Sequence, residues 1–426
     1  MKYDSFFVKV NIILLFAALI LASCEEKLKI EVSPKTVEFD ANPAEAKTVN
    51  ISANVEWEVV IEQEEEWLTI DPAQGKGNAT ITITASDNAV FTDREAFIII
   101  SGEGVDNAKV RVLQLRSLDV AEYIEDPKFK QYCLAKFDND PQDGKISLKE
   151  AKIVKVIDIK DNMEIKSLAG IEYFSNITTL NCSGNNLKSF DLSKNTELRK
   201  LDCSYNPIEH IDVSVLARLT DLVIFDAGLT KIDVSENTAL QWLAVSNNKI
   251  ASIDLSNNKN LLGFECNNNK FTSLDISKNA ELMNLYCGGN QLKELDVSKN
   301  MNLVHLYCSN NKQLDRINTS QNAKLETFSC THNKIATLDL NNNKNLTQLQ
   351  CDSTQITKLI LKENTELRVL SCYGKLTESI DLSNNTLLQI LKLRNNDALK
   401  YIYVWEGCDT LNRYYEKGSN TFYRIK

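Results

Sequence analysis

The chain has 426 residues, with 48 basic against 58 acidic side chains and a formal net charge of −10. Such a balance, without a basic stripe, excludes the phosphate-tracking surface that nucleic acids require. Only 14 glycines and 6 prolines argue against long disordered linkers, and 3 histidines with no HExxH or CxxC argue against a metallo-enzyme.

Residues 1–23 read as a targeting segment rather than as structure. Lys2 and Lys9 flank the start, and Ile12 to Ala22 is an almost unbroken apolar run too short to span a bilayer. The run ends in Leu21-Ala22-Ser23-Cys24, which resembles the lipobox of bacterial lipoproteins. The resemblance implies cleavage before Cys24, a diacylglycerol on its sulfur and a membrane as partner through that lipid. The competing reading is a plain secretory peptide with a chance cysteine. Stable anchoring usually takes more than one acyl chain, and lipoproteins supply these by thioether and amide linkages at the new N-terminus. Glu25 and Glu26 resemble the export signal of surface lipoproteins in the Bacteroidetes, which implies an outer-membrane protein facing the exterior. Residues 24–30 then form the acylated N-terminus and tether.

From 31 to 116 the apolar period is two. Lys47-Thr-Val49-Asn-Ile51, Val55-Glu-Trp57-Glu-Val59, Thr80-Ile81-Thr-Ile83 and Val110-Arg-Val112 alternate, with turn signals at Asp71-Pro72, Gly75, Gly77 and Gly102-Glu-Gly104. This spacing predicts a small all-β, immunoglobulin-like sandwich without a pinning disulfide. Trp57, then Trp67-Leu68-Thr69-Ile70-Asp71-Pro72, the Gly75/Gly77 turn, Arg94 before Ala96-Phe97-Ile98, and the closing Val112-Leu-Gln114 resemble the BACON domain. That family is associated with carbohydrate binding. Trp57 and Trp67 could therefore stack on sugar, but tryptophans inside alternating apolar runs belong more often to the core.

Residues 117–155 read as a linker of short helical pieces carrying Leu118, Tyr123, Phe129 and Phe137. Within it, Asp138-Asn-Asp140-Pro141-Gln-Asp143-Gly144-Lys-Ile146-Ser147-Leu-Lys-Glu150 resembles an EF-hand calcium loop. Gly144 at loop position 6 sets Asp143 at 5, Ile146 at 8, Ser147 at 9 and Glu150 at 12. The same register puts Asn139 at 1 and the oxygen-free side chain of Pro141 at 3. Asp138, Asp140, Asp143 and Glu150 are thus candidate Ca2+ ligands of a degenerate loop; the alternative is a decayed loop that caps the repeats.

The repeats occupy 156–404. Starts recur at Leu180, Leu201, Leu222, Leu243, Phe264, Leu285, Leu306, Phe328, Leu349, Leu370 and Leu391; the spacing is 21 residues except for 22 in the Leu306 unit. A period in this range predicts a solenoid whose coils bury their apolar faces only against neighbours. With each start as offset 0, apolar residues fall at 0, 2, 7, 10, 12 and 18, and asparagine fills offset 5 in eight units. Leu-x-Leu/Cys-x-x-Asn-x-Leu resembles the leucine-rich-repeat signature, which implies a parallel sheet lining a concave face. About five Leu-sized side chains per coil, at ~1.5–3 kcal/mol each, stabilise the fold only when coils stack. The offset-5 asparagine is expected to bond the turning backbone of its own and the next coil.

Offset 2 is cysteine in eight units and Ile224, Val245 or Leu393 in the others. A position that accepts isoleucine, valine and leucine is interior, so these thiols are expected to be small buried hydrophobes rather than disulfides. Function is then expected on the strand face at offsets −1, 1, 3 and 4. Candidate ligand-binding residues there are Tyr205, Phe225, Asp226, Trp242, Glu265, Tyr286, His305, Tyr307 and Tyr373. Flat apolar area among small polar residues suits a glycan or a protein partner; the competing explanation is plain β-propensity. His305 and His332 fall at opposite strand ends, and no nucleophile–base set is visible. Residues 405–426 lose the period and read as a C-terminal cap.

The resulting expectation is a sandwich followed by a solenoid in a lipid-anchored, non-catalytic adhesion or capture protein. Its rival is a structural scaffold, or a recruiting subunit of an envelope complex.

Overall fold

A computed structural model describes residues 27–426 apart from 42, 64–65, 89–91, 140–141, 161–163 and 413. The segment expected to act in targeting, Cys24 and Asp140 lie outside the described residues. The chain divides into two compact units that meet at Leu118 and Asp119.

The first unit is a sandwich of nine strands among the described residues. In chain order they are β1 (Ile30–Ser33), β2 (Thr36–Phe39), β3 (Lys47–Ala53), β4 (Glu56–Ile61), β5 (Leu68–Asp71), β6 (Gln74–Lys76), β7 (Ala79–Ala85), β8 (Arg94–Ser101) and β9 (Ala108–Gln114). One sheet runs β1-β3-β7-β5 and the other β2-β9-β8-β4-β6. Alternation places Val49, Ile51, Ile81, Ile83, Ile98, Ile100, Val110 and Val112 between the sheets, as expected for strands with one face on a core. Trp57 and Trp67 belong to that core. The Trp57 indole donates to Gly77 O at 2.8 Å and lies where a side chain at Gly75 would sit, while the Arg94 guanidinium stacks 4.5 Å from the Trp67 ring. Neither ring is free to receive a sugar face. Gln114 closes the sandwich end, its amide donating to Asp40 O, Ala41 O and Ser86 O.

The second unit begins with two helices. Pro127–Phe137 (α1) starts with proline in its first turn, and the Asp126 side chain accepts from Lys128 N and Phe129 N. Leu148–Ile153 (α2) opens on a capping box between Ser147 and Glu150. Val120, Ile124, Phe129, Cys133, Ile146 and Ala151 share one core with Ile157, Leu180 and every coil beyond. The segment expected as a linker is therefore packed as the solenoid's first layer.

From there a thirteen-stranded parallel sheet runs from Val156–Asp158 to Tyr415–Lys417 in coil order. Repeat starts face each other, Leu180 opposite Leu201 and Leu201 opposite Leu222. Short strands form on the back of the coils, such as Glu294–Asp296 beside Arg316–Asn318. The C-terminal stretch differs from the expected separate cap: Tyr415 pairs with Leu391, the Tyr415 hydroxyl donates to Leu388 O at 2.6 Å, and Tyr401 pairs with Phe422. It is one more coil. Its register is held by backbone bonds, which a side-chain period does not reveal.

Two asparagine ladders fasten the coils. At offset 5, Asn290 Nδ2 donates to Cys287 O of its own coil and Cys266 O of the preceding one, and its Oδ1 accepts from Phe271 N. The partner is thus the preceding coil rather than the expected next one. At offset 15, Asn279 Nδ2 donates to Leu255 O and Asn258 O. The eight offset-2 cysteines are all buried and unbridged, with burial pushing the Cys287 thiol up to about 12. They are packing residues at neutral pH.

Candidate functional site

In each coil, offsets −1 and 1 flank the buried start residue and point to the same face of the sheet. Adjacent coils are in register, so each offset forms a column with rungs ~4.8 Å apart. The offset −1 column brings Trp242, Gly263, Asn284 and His305 side by side, and the offset 1 column brings Ala244, Glu265, Tyr286 and Tyr307.

Trp242 is half-buried because its indole lies across Gly263 of the next coil, where any Cβ would collide with the ring. Gly263 is therefore a site residue that the candidate set lacked. Its signal was available: a glycine one period after a tryptophan at the same offset. Tyr286 and Tyr307 stack with centroids 5.0 Å apart and planes within 10°, and both residues are half-buried. Burial, then Tyr307 and Glu265, push the Tyr286 phenol above its ordinary value. Glu265 lies between these aromatics, opposite Ala244 on one side and Tyr286 on the other. Burial raises its carboxyl above the usual range. Trp242, Glu265, Tyr286, His305 and Tyr307 thus form one continuous patch over four coils.

The other candidates fall elsewhere. Offset 4 is a column of left-handed backbone, with φ of +60° at Asn247, +53° at Asn268 and +67° at Gly289. Tyr205 (φ +55°), Asp226 (φ +48°) and His332 (φ +57°) occupy this turn column, so they project from the rim where each strand ends. Tyr205 is 58% exposed there, in a conformation that costs a non-glycine residue ~1–2 kcal/mol. Phe225, at offset 3, is half-buried beside this rim. Tyr373 lies three coils beyond Tyr307, its N–H bonded to the Asp352 carboxylate at 2.8 Å.

The calcium candidates are engaged with their own backbone. Asp138 accepts from Asp143 N and Gly144 N, while Glu150 accepts from Asn139 N, Ser147 N and the Ser147 hydroxyl. Asp143 accepts from Lys145 N. Calcium takes six to eight oxygens, and among the described residues no three metal-ligating side chains converge. Among the described residues, Asp138, Asp143 and Glu150 thus spend oxygens on backbone donors rather than on a shared ion position.

Residues 55–115 match the BACON family model, described as "Putative binding domain, N-terminal". No curated protein matches the sequence. Among solved structures, the solenoid is similar to the functional domain of InlJ from Listeria monocytogenes, a domain that includes a cysteine ladder. The two are 28% identical with a TM-score of 0.65, over 73% of this chain and 70% of that one. The internalin InlF from the same organism matches at 18% identity over 73% of this chain and 93% of that one, TM-score 0.51, a likeness of fold. The coils have the leucine-rich-repeat fold.

Proposed function

We propose that this chain, in which a BACON domain precedes a leucine-rich-repeat solenoid, is a non-catalytic, lipid-anchored surface protein that captures a partner on the concave sheet face. The observation that carries the reading is the patch of Trp242, Glu265, Tyr286, His305 and Tyr307, aligned by strand register over four successive coils. Half-buried aromatic faces ordered by their neighbours lose little entropy on contact and have apolar area left to cover. The Leu21-Ala22-Ser23-Cys24 sequence supports the anchor.

One experiment tests both parts. Cells expressing the full chain, a Cys24→Ala variant and a Trp242→Ala/Tyr286→Ala/Tyr307→Ala variant are fractionated and exposed to arrayed glycans and matrix proteins. The expected result is that C24A leaves the membrane fraction, whereas the triple variant stays there and loses capture at least about tenfold, the scale of a central interface cluster. Unchanged capture by the triple variant would overturn the concave-face reading, and membrane retention of C24A would overturn the anchor.

A further inference from the structure

Among the patch residues Glu265 is chemically odd. Its carboxylate is half-buried, and among the described residues it makes no ion pair and no side-chain hydrogen bond. It is flanked on the offset 1 column by Ala244, which offers no donor, and by Tyr286, whose ring stacks on Tyr307. Across its own strand is Gly263, roofed by the Trp242 indole. Aromatic faces carry negative potential, so the Trp242 indole and the Tyr286 face not covered by Tyr307 add to the sign of the carboxylate. A desolvated carboxylate without a partner is unfavourable in the free protein and is relieved by a positive charge. The chain's net charge of −10 draws basic partners in the same sense.

Resting on the concave-face reading and narrowing it, we propose that the patch takes the cationic side chain of a protein partner, a lysine or arginine seated between Trp242 and Tyr286 with its charge on Glu265. A neutral glycan would use the aromatic faces and leave the carboxylate without a counter-ion.

The test uses the full solenoid-bearing chain without its lipid, residues 25–426, and a synthetic peptide of alternating lysine and glycine; the same peptide with acetylated lysines lacks the charge. Calorimetric titration is run on wild type, Glu265→Gln, and Glu236→Gln, an exposed carboxylate elsewhere on the coils. Acetylation and E265Q are each expected to weaken binding about tenfold or more, on the scale of a desolvated cation–π and ion-pair contact, with E236Q unchanged. E265Q should also melt higher than wild type at neutral pH. The raised carboxyl makes the folded state bind protons more readily, so wild-type stability falls as pH rises above the ordinary carboxylate range, and the advantage of E265Q vanishes below it. Equal weakening by E265Q and E236Q, binding of the acetylated peptide, or a lower melting temperature for E265Q would each overturn the proposal. If the triple alanine variant loses array capture while E265Q keeps it, the concave-face reading stands and the cationic partner falls.

Discussion

Glu150 occupies the place where a calcium loop would put its bidentate ligand, yet its oxygens accept from Asn139 N, Ser147 N and the Ser147 hydroxyl. Lending the carboxylate to an ion would release buried donors, so its worth lies in capping α2. Replacing Glu150 with alanine should cost roughly 1–3 kcal/mol. The loss of melting temperature should be the same in chelator and in millimolar calcium; a loss seen only with calcium would make the loop an ion site. The loop's residue types were legible in the sequence, but not their pairing, since a capping box and a calcium loop both ask for a glutamate near a serine. Tyr205 and Asp226 carry a similar lesson. Their column also holds Gly184, Asn247, Asn268, Gly289, Asn310 and Asn395, and the run of glycine and asparagine signals left-handed backbone rather than a strand face.

At the level of the coil, the offset-5 asparagine replaces a secondary-structure bond where the chain turns out of the sheet. Asn269 donates to Val245 O, Cys266 O and Asn267 O and accepts from Ile250 N at 3.0 Å. Where the chain lacks this residue, neighbours adjust. At Ala227, Asn248 Oδ1 accepts from both Ala227 N and Leu229 N, and Ile208 N turns to Asn206 O. Thr354 retains one bond, to Cys351 O. Asn269→Ala should therefore destabilise by roughly 1–3 kcal/mol, chiefly for the buried Ile250 N–H left without a partner, since Val245 O and Cys266 O keep Asn248 and Asn290 as donors. Asn269→Thr should recover part of that through Cys266 O. Equal losses for the two variants in denaturant titration would show that the side-chain bonds are not the cause. The offset-15 ladder is weaker per rung, since the Oδ1 atoms of Asn258, Asn279 and Asn300 are buried without a protein donor. Strand, ladder and cysteine positions were legible because each is one offset repeated many times. The Trp242–Gly263 contact was less so, because it occurs once and joins two coils.

Across the whole solenoid, each coil is stabilised by its neighbours, so both ends need a layer that turns one face to water. The sequence made the C-terminal end difficult, because Tyr415–Lys417 and Phe422–Ile425 extend the coils without the leucine period. At the other end, a boundary at residue 156 follows the repeat pattern, whereas the packing begins at Asp119. The helical pattern of 119–155 differs from the coils, and a change of period reads as a change of domain. Its apolar residues nevertheless belong to the coil core: Val120, Phe129, Cys133, Ile146 and Ala151 are fully buried with Ile157 and Ile159. A chain of residues 156–426 would expose that layer's partners, including Ile157, Ile165 and Phe174. Losing several large apolar contacts at ~1.5–3 kcal/mol each exceeds what one terminal coil can supply. Residues 119–426 should give a soluble protein with one cooperative melt, while 156–426 should melt on the order of 10 °C lower or aggregate through its open end. Scanning calorimetry and light scattering on the two chains decide this; identical melts would mean that the coils close themselves and that the helices only lie against them.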